Sequence, residues 1–380
     1  MSEAVIVGAV RTAIAKAEGS LREIRPDDLA GQVLAELVNR TGIETSELDD
    51  VMIGCASPVD QQGGNIGRMA GLIAGFPYEV PGVTINRYCG SSLEALNSAA
   101  HAIMAGQGEL IIAGGVESMT RVPMGADIGS FSEKILDRFT PTVMGITAEN
   151  VAEKYGVSRE DQDDFALWSH QKAVAANRQG RFRREILPIE IADGNSTVSF
   201  DTDERPRLDT SLEKLAKLSP VFKPSGTVTA GNSSGINDGS AAVLLTSKAK
   251  AKELGLEALA TYRGSAVAGV HPDYMGLAPI PATRKALSRV GLTLDDMDVV
   301  ELHEAFAATA LQVVRELGIE REMLNPNGGA VALGHPLGCS GARQMTTLLY
   351  EMERRDARYG LSAMCIGFGQ GIATVVEREV

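Results

Sequence analysis

Two hydrophobic periods divide this chain of 380 residues. Short continuous apolar runs, such as Ala4-Val5-Ile6-Val7 and Gly82-Val83-Thr84-Ile85, predict strands buried on both faces. From Ser92 on, Leu93, Leu96, Ala99, Ala100 and Ile103 recur at helical spacing. Between that strand and that helix lies Asn86-Arg87-Tyr88-Cys89-Gly90-Ser91, a tight turn rich in small residues. A second helical pattern follows the turn Gly338-Cys339-Ser340-Gly341.

The pattern repeats. Gly42-Ile43-Glu44-Thr45-Ser46-Glu47-Leu48-Asp49-Asp50-Val51 is similar to Gly291-Leu292-Thr293-Leu294-Asp295-Asp296-Met297-Asp298-Val299-Val300, an offset of 249 positions. The same offset carries Cys89 to Gly338, and Leu110–Gly115 corresponds in character to Leu361–Gly367. Two diverged copies of one βα unit are therefore expected, with an unrelated insert between them. Alternating strands and helices with continuous apolar strands predict an α/β protein of mostly parallel sheets covered by helices. The expected boundaries are residues 1–117 for the first half, completed by about 236–257; residues 118–235 for the insert; and 258–380 for the second half.

Composition narrows the class. With 44% hydrophobic and 22% charged residues the chain is an ordinary globular protein, long enough for two or three domains. The net charge of −13 argues against a nucleic-acid partner, which needs a basic face. It does not exclude an anionic ligand, for which a local basic patch suffices. That patch is expected in the insert, where Arg178, Arg181, Arg183, Arg184, Arg207, Lys214, Lys217 and Lys223 concentrate positive charge. For most of these a solvated helix surface is the plainer reading. The four cysteines, Cys55, Cys89, Cys339 and Cys365, form no C-x-x-C pair, so neither a zinc site nor a dithiol is expected. Sparse cysteine fits a reducing cytoplasm. The N-terminal residues lack the features of a signal peptide, and Glu377-Arg378-Glu379-Val380 is not a peroxisomal address. The apolar runs are too short and too often broken by glycine to span a bilayer.

Cys89 is the foremost candidate for chemistry. A thiol at the start of a helix meets unpaired N–H groups and the positive end of the helix dipole, which favour the nucleophilic thiolate. A buried structural cysteine is the alternative, and the turn alone does not choose between them. Two further segments do: Asn325-Pro326-Asn327-Gly328-Gly329-Ala330-Val331-Ala332-Leu333-Gly334-His335-Pro336-Leu337-Gly338-Cys339-Ser340-Gly341-Ala342-Arg343, and Ser362-Ala363-Met364-Cys365-Ile366-Gly367-Phe368-Gly369-Gln370-Gly371. With the Cys89 turn these resemble the three signature motifs of the thiolases, over essentially the whole chain and in order. The C-terminal stretch is most similar to the thiolases of fatty-acid β-oxidation.

The resemblance implies the thiolase fold: two repeated βα halves stacked as a five-layer α-β-α-β-α sandwich with an inserted loop domain that holds coenzyme A. It implies acyl transfer between coenzyme A thioesters, 3-ketoacyl-CoA plus coenzyme A giving acetyl-CoA and a shortened acyl-CoA, or the reverse, with no tightly bound cofactor and no metal. Cys89 becomes the nucleophile and His335 its base. Cys365 is the second acid/base, as a thiol near its ordinary pKa would suit. The N–H groups of Cys89 and Gly367 form an oxyanion hole. Cys339 and Cys55 are read as structural. Arg207 and Phe222 match contacts to the adenine end of coenzyme A. Met144, Met275, Ala230, Ser234, Ala305 and Phe306 match positions along the pantetheine and acyl pocket.

His303, in His303-Glu304-Ala305-Phe306, departs from the commonest thiolase pattern, which has Asn there to hold a water in a second oxyanion hole. Imidazole can also donate, directly or through water. The same His resembles the β-subunits of trifunctional β-oxidation enzymes and sterol-carrier thiolases, so a hydratase or dehydrogenase partner subunit is conceivable beside a homodimer or homotetramer. The set Cys89, His303, His335 is also similar to that of decarboxylating ketoacyl synthases, which lack the second reactive cysteine. A non-catalytic acyl-CoA or lipid carrier is the remaining alternative, although it would be expected to have lost Cys89 or His335. Val143, where biosynthetic acetoacetyl-CoA thiolases carry His, favours a degradative enzyme. The dimer is expected to pair through an edge strand of the first half at Ala113–Ser118.

Overall fold

The computed structural model describes residues 2–194 and 196–379. The first half is built from β1 (Ala4–Thr12), α1 (Pro26–Thr41), β2 (Asp50–Gly54), α2 (Ile66–Ile73), β3 (Val83–Ile85), α3 (Ser91–Met104), β4 (Leu110–Ser118) and, after the insert, β5 (Asn237–Ser247). Helix α1 shows the local logic. Pro26 sits in its first turn with Asp27 and Asp28, Leu29, Val33, Leu34 and Leu37 are buried, and Gly42 closes it in the left-handed region at φ 67°. The insert contributes α4 (Met144–Tyr155) and α5 (Arg159–Arg178). The second half is β6 (Ala260–Gly269), α6 (Pro279–Val290), β7 (Val299–Leu302), α7 (Ala307–Leu317), α8 (Ser340–Arg355), β8 (Tyr359–Ile366) and β9 (Gln370–Glu377).

Both halves share one strand order. The first runs β3-β2-β4-β5-β1 and the second β7-β8-β9-β6. A single parallel bridge, Val300 to Leu324, stands outside β7 where the first half has β3. The repeat seen in the sequence is structural: α8 begins 249 residues after α3 (Ser340 against Ser91), and β8 begins 249 after β4 (Tyr359 against Leu110). Edge strands β1 and β6 pair antiparallel at Val5–Thr261 and Ile6–Ala260, so the two sheets are continuous.

The layers follow from which faces are apolar. Leu93, Leu96 and Ile103 of α3 and Met345, Leu348 and Met352 of α8 pack between Ile111 and Val243 of one sheet and Met364 and Ile372 of the other. Val33, Leu37 and Ile66 cover the outer face of the first sheet, against Val51, Ile112 and Leu244. Ile280, Leu287 and Val313 cover the outer face of the second, against Val300, Leu361 and Val375. This is the α-β-α-β-α sandwich.

Two expectations are corrected. The sheets are mixed rather than mostly parallel. Strand β2 is parallel to β3 and β4, and β7 to β8, but β5 and β9 are antiparallel to both neighbours. The connection from β8 to β9 is too short for a crossover; Phe368 and Gly369, at φ 61° and 80°, reverse the chain. Nor is Ala113–Ser118 an edge. Strand β4 is hydrogen-bonded on both sides, and the open edge of the first half is β3. Among the described residues no helix is long and apolar enough to cross a membrane.

One buried group ties the halves together. Glu117, at the end of β4, accepts N–H bonds from Ala56 (2.8 Å), Ser57 (3.1 Å) and Gly338 (2.8 Å), and one from the Gln62 amide (2.8 Å). Burial pushes its carboxyl up, and these donors pull it back down. Glu117→Ala strands four buried donors. It is expected to cost about 3 kcal/mol or more in a denaturant titration, and Glu117→Gln about 1–3 kcal/mol. Unchanged midpoints for both variants would show that the carboxylate is dispensable.

Candidate active site

The nucleophile candidate sits where β3 turns into α3. Side chains staple this turn. The Asn86 carboxamide accepts from Tyr88 N–H (2.8 Å) and donates to the Ala56 carbonyl (3.1 Å), and Ser91 Oγ accepts from Arg87 N–H (2.9 Å) and donates to the Tyr88 carbonyl (2.5 Å). Tyr88 is held at φ 46°, a left-handed conformation uncommon for a bulky residue. The staples hold Cys89 just ahead of the helix start. There its sulfur receives N–H groups from Gly367 and from Cys89 itself. These two donors are the expected oxyanion-hole pair, brought together from the two halves.

The helix start does not make a resting thiolate. Burial pushes the Cys89 thiol up to about 11; the two N–H groups pull it down, and the Glu117 charge adds to the rise. Desolvation outweighs the helix end. Cys365 is likewise pushed far above the ordinary thiol range by burial, with Cys89 adding to it. Its thiol is therefore not poised near neutral pH by itself. Cys339 is wholly buried between Ala241 and Ala342 and pushed up to about 12 by burial. Cys55 is buried 3.8 Å from Glu117 Oε1. All four cysteines are free.

His335 lies in a loop of the second half held by the first. Its N–H donates to Asn237 Oδ1 of β5 at 2.9 Å. Gly334 before it is at φ 105°, and a Cβ there would strike the Asn237 carboxamide. The partners decide the tautomer. Ser340 Oγ donates to the Pro336 carbonyl (2.9 Å), so at 2.6 Å it accepts from His335 Nδ1–H. Nε2 then carries a lone pair, buried and without a partner. Burial, aided by His303 and Arg343, pushes this imidazole well below its ordinary pKa. It is a neutral base aimed into the site.

His303 obeys the same logic. Gln344 donates from Nε2 to the Glu301 carbonyl (3.1 Å), which can only accept, so its Oε1 faces His303 Nδ1 at 2.9 Å. His303 therefore carries its proton on Nδ1, and its buried Nε2 is an unpartnered acceptor. Of the two modes the sequence left open, direct donation or action through water, the neutral ring's Nε2 lone pair fits the second; burial and Arg343 push this imidazole's pKa down to about 3. The two imidazole rings are 4.1 Å apart.

The pocket residues gather partly. Met275, Ala305, Phe306, Ala148, Val228 and Cys365 form one apolar cluster, with Met144 and Phe222 against it. Ser234 N–H donates to the Ala305 carbonyl at 2.9 Å. Phe222 meets Phe306 edge to face at 6.0 Å, so it lies beside the catalytic cluster. Arg207 is exposed in a separate cleft of about 380 Å³ along α5, with His170, Gln171, Arg178 and Thr210. Ala230 is exposed on the neighbouring 229–232 turn, which is pinned by Thr229 N–H to Asn232 Oδ1 (2.7 Å). Among the described residues no cluster of three or more His, Cys, Asp and Glu is arranged to hold a metal.

Sequence reasoning missed Asn237, Ser340, Gln344 and Glu117. Ser340 and Gln344 are four apart on α8 and so share one face, the sole signal available.

Comparison with known proteins agrees with this geometry. Residues 4–249 match the family model described as Thiolase, N-terminal domain, and residues 256–378 that described as Thiolase, C-terminal domain. The chain is 48% identical to a beta-ketoadipyl-CoA thiolase of Acinetobacter baylyi, with all of both chains covered. It is 49% identical to a 3-ketoacyl-CoA thiolase of Pseudoalteromonas translucida, covering 100% of this chain and 99% of the other. An acetyl-CoA acetyltransferase of Pseudomonas aeruginosa is 48% identical over the whole of both chains. Among solved structures, the acetyl-CoA acetyltransferase of Bacillus anthracis superposes with a TM-score of 0.92 at 43% identity, covering 99% of each chain. Fold, motifs and relatives agree, and the chain belongs to the thiolase family of acyltransferases.

Proposed function

We propose that this thiolase cleaves 3-ketoacyl-CoA through an acyl-enzyme on Cys89, in the degradative direction. The observation that carries the reading is the placement of the Cys89 sulfur under the N–H groups of Gly367 and Cys89, with Cys365 beside it. Cys89 Sγ attacks the 3-keto carbon while His335 Nε2 takes its proton. The C2–C3 bond breaks, the acyl group stays on sulfur, and the departing acetyl-CoA carbanion takes the Cys365 proton. The Cys365 thiolate then deprotonates coenzyme A, whose sulfur attacks the acyl-enzyme. Acyl-CoA leaves, and His335 returns the proton to Cys89. Coenzyme A enters as a substrate.

The N–H pair stabilises charge on one oxygen. His303 Nε2, an acceptor, would hold a water whose other hydrogen points at a second oxygen. Val143, exposed and apolar, supports degradation rather than synthesis. The free thiols support a cytoplasmic setting, and the arginines of the insert support a coenzyme A-holding role for that segment.

We also infer a dimer formed through the open edge of β3. Val83, Met69, Ile73 and Tyr78 are exposed around that edge, and an unpaired strand edge flanked by apolar side chains calls for a partner. The same strand leads into the Cys89 turn, so pairing would brace the nucleophile.

Three outcomes test this reading. After treatment with acetyl-CoA, intact-protein and peptide mass spectrometry should find an acetyl group on Cys89, and Cys89→Ala should lose acyl transfer yet still bind coenzyme A. An adduct confined to Cys365 or Cys339 would reassign the nucleophile. His303→Asn should stay within about tenfold of the parent kcat, whereas His303→Ala, which loses the held water as an oxyanion donor, should lose on the order of 10²-fold. An alanine variant as active as the parent would remove His303 from the mechanism. Light scattering should give at least twice the 40.1 kDa chain mass. A fully active monomer would rule out the dimer.

A further inference from the structure

Arg205, in the insert, is a cation without a carboxylate. Among the described residues it forms no ion pair, and the charge it feels is the like charge of Arg207. Burial pushes its guanidinium down to about 10, which leaves it positive at neutral pH. Its donors go to two backbone carbonyls instead, Nε to Val331 (2.9 Å) and Nη2 to Ser233 (2.8 Å). Ser233 belongs to the insert. Val331 belongs to the second half, four residues before His335.

The Val331 carbonyl is open to Arg205 for a definite reason. Ala330–Leu333 is a single helical turn, and Gly334 N–H continues it by donating to the Ala330 carbonyl at 2.9 Å. The next bond in that series would run from His335 N–H to the Val331 carbonyl. It is not made, because His335 N–H donates to Asn237 Oδ1 at 2.9 Å. Arg205 fills the place of the missing donor. Asn237 and Arg205 thus divide one helical hydrogen bond between them, one taking its N–H and the other its carbonyl. The chain leaves the helix at His335 as a result. Val331 N–H is held as well, on Glu304 Oε2 at 3.2 Å.

The guanidinium is carried on a fixed base. Asp203 accepts from Arg11 at 2.7 and 3.0 Å and from Ile14 N–H at 2.7 Å. Glu204 N–H donates to the Ile14 carbonyl (3.0 Å), and its carboxylate accepts from Lys16 N–H (2.9 Å). The segment just before Arg205 is therefore tied to the first half. Gly235 leaves room for both members of the pair: a Cβ there would stand 2.5 Å from Arg205 Nη1 and 2.8 Å from Asn237 Oδ1. Lysine could not replace the arginine, because a point charge on a flexible stem lacks the fork that reaches two carbonyls at once.

We propose that Arg205 is a positioning residue for acyl transfer: with Asn237 it opens the helix end before His335 and so sets where that imidazole stands. The proposal rests on the reading of His335 as the base for Cys89 and adds the residue that places it. Arg205 acts through the backbone of the loop, not on the sulfur or the imidazole.

The test uses the full-length enzyme and two readouts. One is steady-state thiolysis of 3-oxohexanoyl-CoA. The other is the rate at which iodoacetamide alkylates Cys89 at neutral pH, followed by mass spectrometry of the Cys89 peptide. Arg205→Met, which removes the donors, should lower kcat about tenfold or more, the scale of a slightly misplaced catalytic group. KM for coenzyme A should stay within about threefold of the parent. Arg205→Lys should recover only part of the loss. Alkylation should slow in Arg205→Met and in His335→Ala, and the double variant should be no slower than His335→Ala, because both changes act through one imidazole. General loosening of the fold would instead expose the thiol and speed alkylation. That outcome, an unchanged kcat, or a further loss in the double variant would overturn the proposal. Should Arg205→Met not fold, Arg205→Lys is put to the same comparison, and parent-like values would overturn the proposal equally. If His335→Ala itself leaves turnover and alkylation at the parent level, the reading of His335 as base falls, and this proposal with it.

Discussion

His335, the proposed base, belongs to one half of the chain and is held by the other. The loop bearing His335 follows α7, yet its N–H groups at His335 and Gly338 donate to Asn237 on β5 and Glu117 on β4. The imidazole itself is oriented by Ser340 at the start of α8. The Cys89 sulfur is met in turn by Gly367 from the second half. Cys89 and His335 can therefore have a fixed relation only when the two halves are docked. The direct strand pairing between halves spans two residue pairs at β1 and β6, so the docking depends on the α3–α8 layer and on these few buried polar bonds. A carboxylate with four N–H donors is a stiff joint, because moving it leaves charge or donors unsatisfied in a dry interior.

Burial around the joint gives the resting site its electrical character. Both thiols are pushed up and both imidazoles down, with desolvation the largest cause in each case. The four reactive groups are neutral together. A thiolate–imidazolium pair is then costly in the empty protein, and it becomes accessible when a bound thioester supplies an oxygen that carries the charge to waiting donors. The arrangement separates reactivity from exposure: Cys89 is partly exposed yet not an anion. Gln344 matters in the same way. By fixing the His303 proton on Nδ1 it leaves Nε2 an acceptor, so a water held there would give one hydrogen to His303 and keep the other for the substrate oxygen.

Much of this was legible in the sequence. The offset of 249 between Gly42 and Gly291 predicted the repeat because the βα unit buries the same apolar faces twice. The sequence singled out Cys89, His335, Cys365 and Gly367 because tight glycine-rich turns leave few alternatives for what surrounds them. Strand direction was not. A buried strand reads as a continuous apolar run whether its neighbour is parallel or antiparallel, so the reversals at β5 and β9 left no trace. The position of β4 within its sheet was hidden for the same reason, and Ala113–Ser118 looked like an edge. The state of the Cys89 thiol was misjudged because the helix end is visible in the sequence and the burial around it is not. Asn237, Ser340, Gln344 and Glu117 were missed because a buried polar residue announces itself only through the partners that satisfy it, and those are far away in the chain.

The reactive groups and the exposed segments around them occupy physically different ground. Cys89, His335, Cys365 and Gly367 sit at ends of strands and helices that are packed on all sides, where small displacements are resisted. The hollow beside Phe368 is built from the 139–147 segment, Pro272 and Asp273, with the Phe131 ring edge-on 5.8 Å from Phe368. Phe131 and Val143 are exposed, and Asp273 is nearly half exposed. Such positions can change without disturbing the sandwich. Relatives whose names specify ketoadipyl, 3-ketoacyl and acetyl substrates stand at 48–49% identity to this chain over nearly the whole length. Overall similarity thus carries little information about the acyl group.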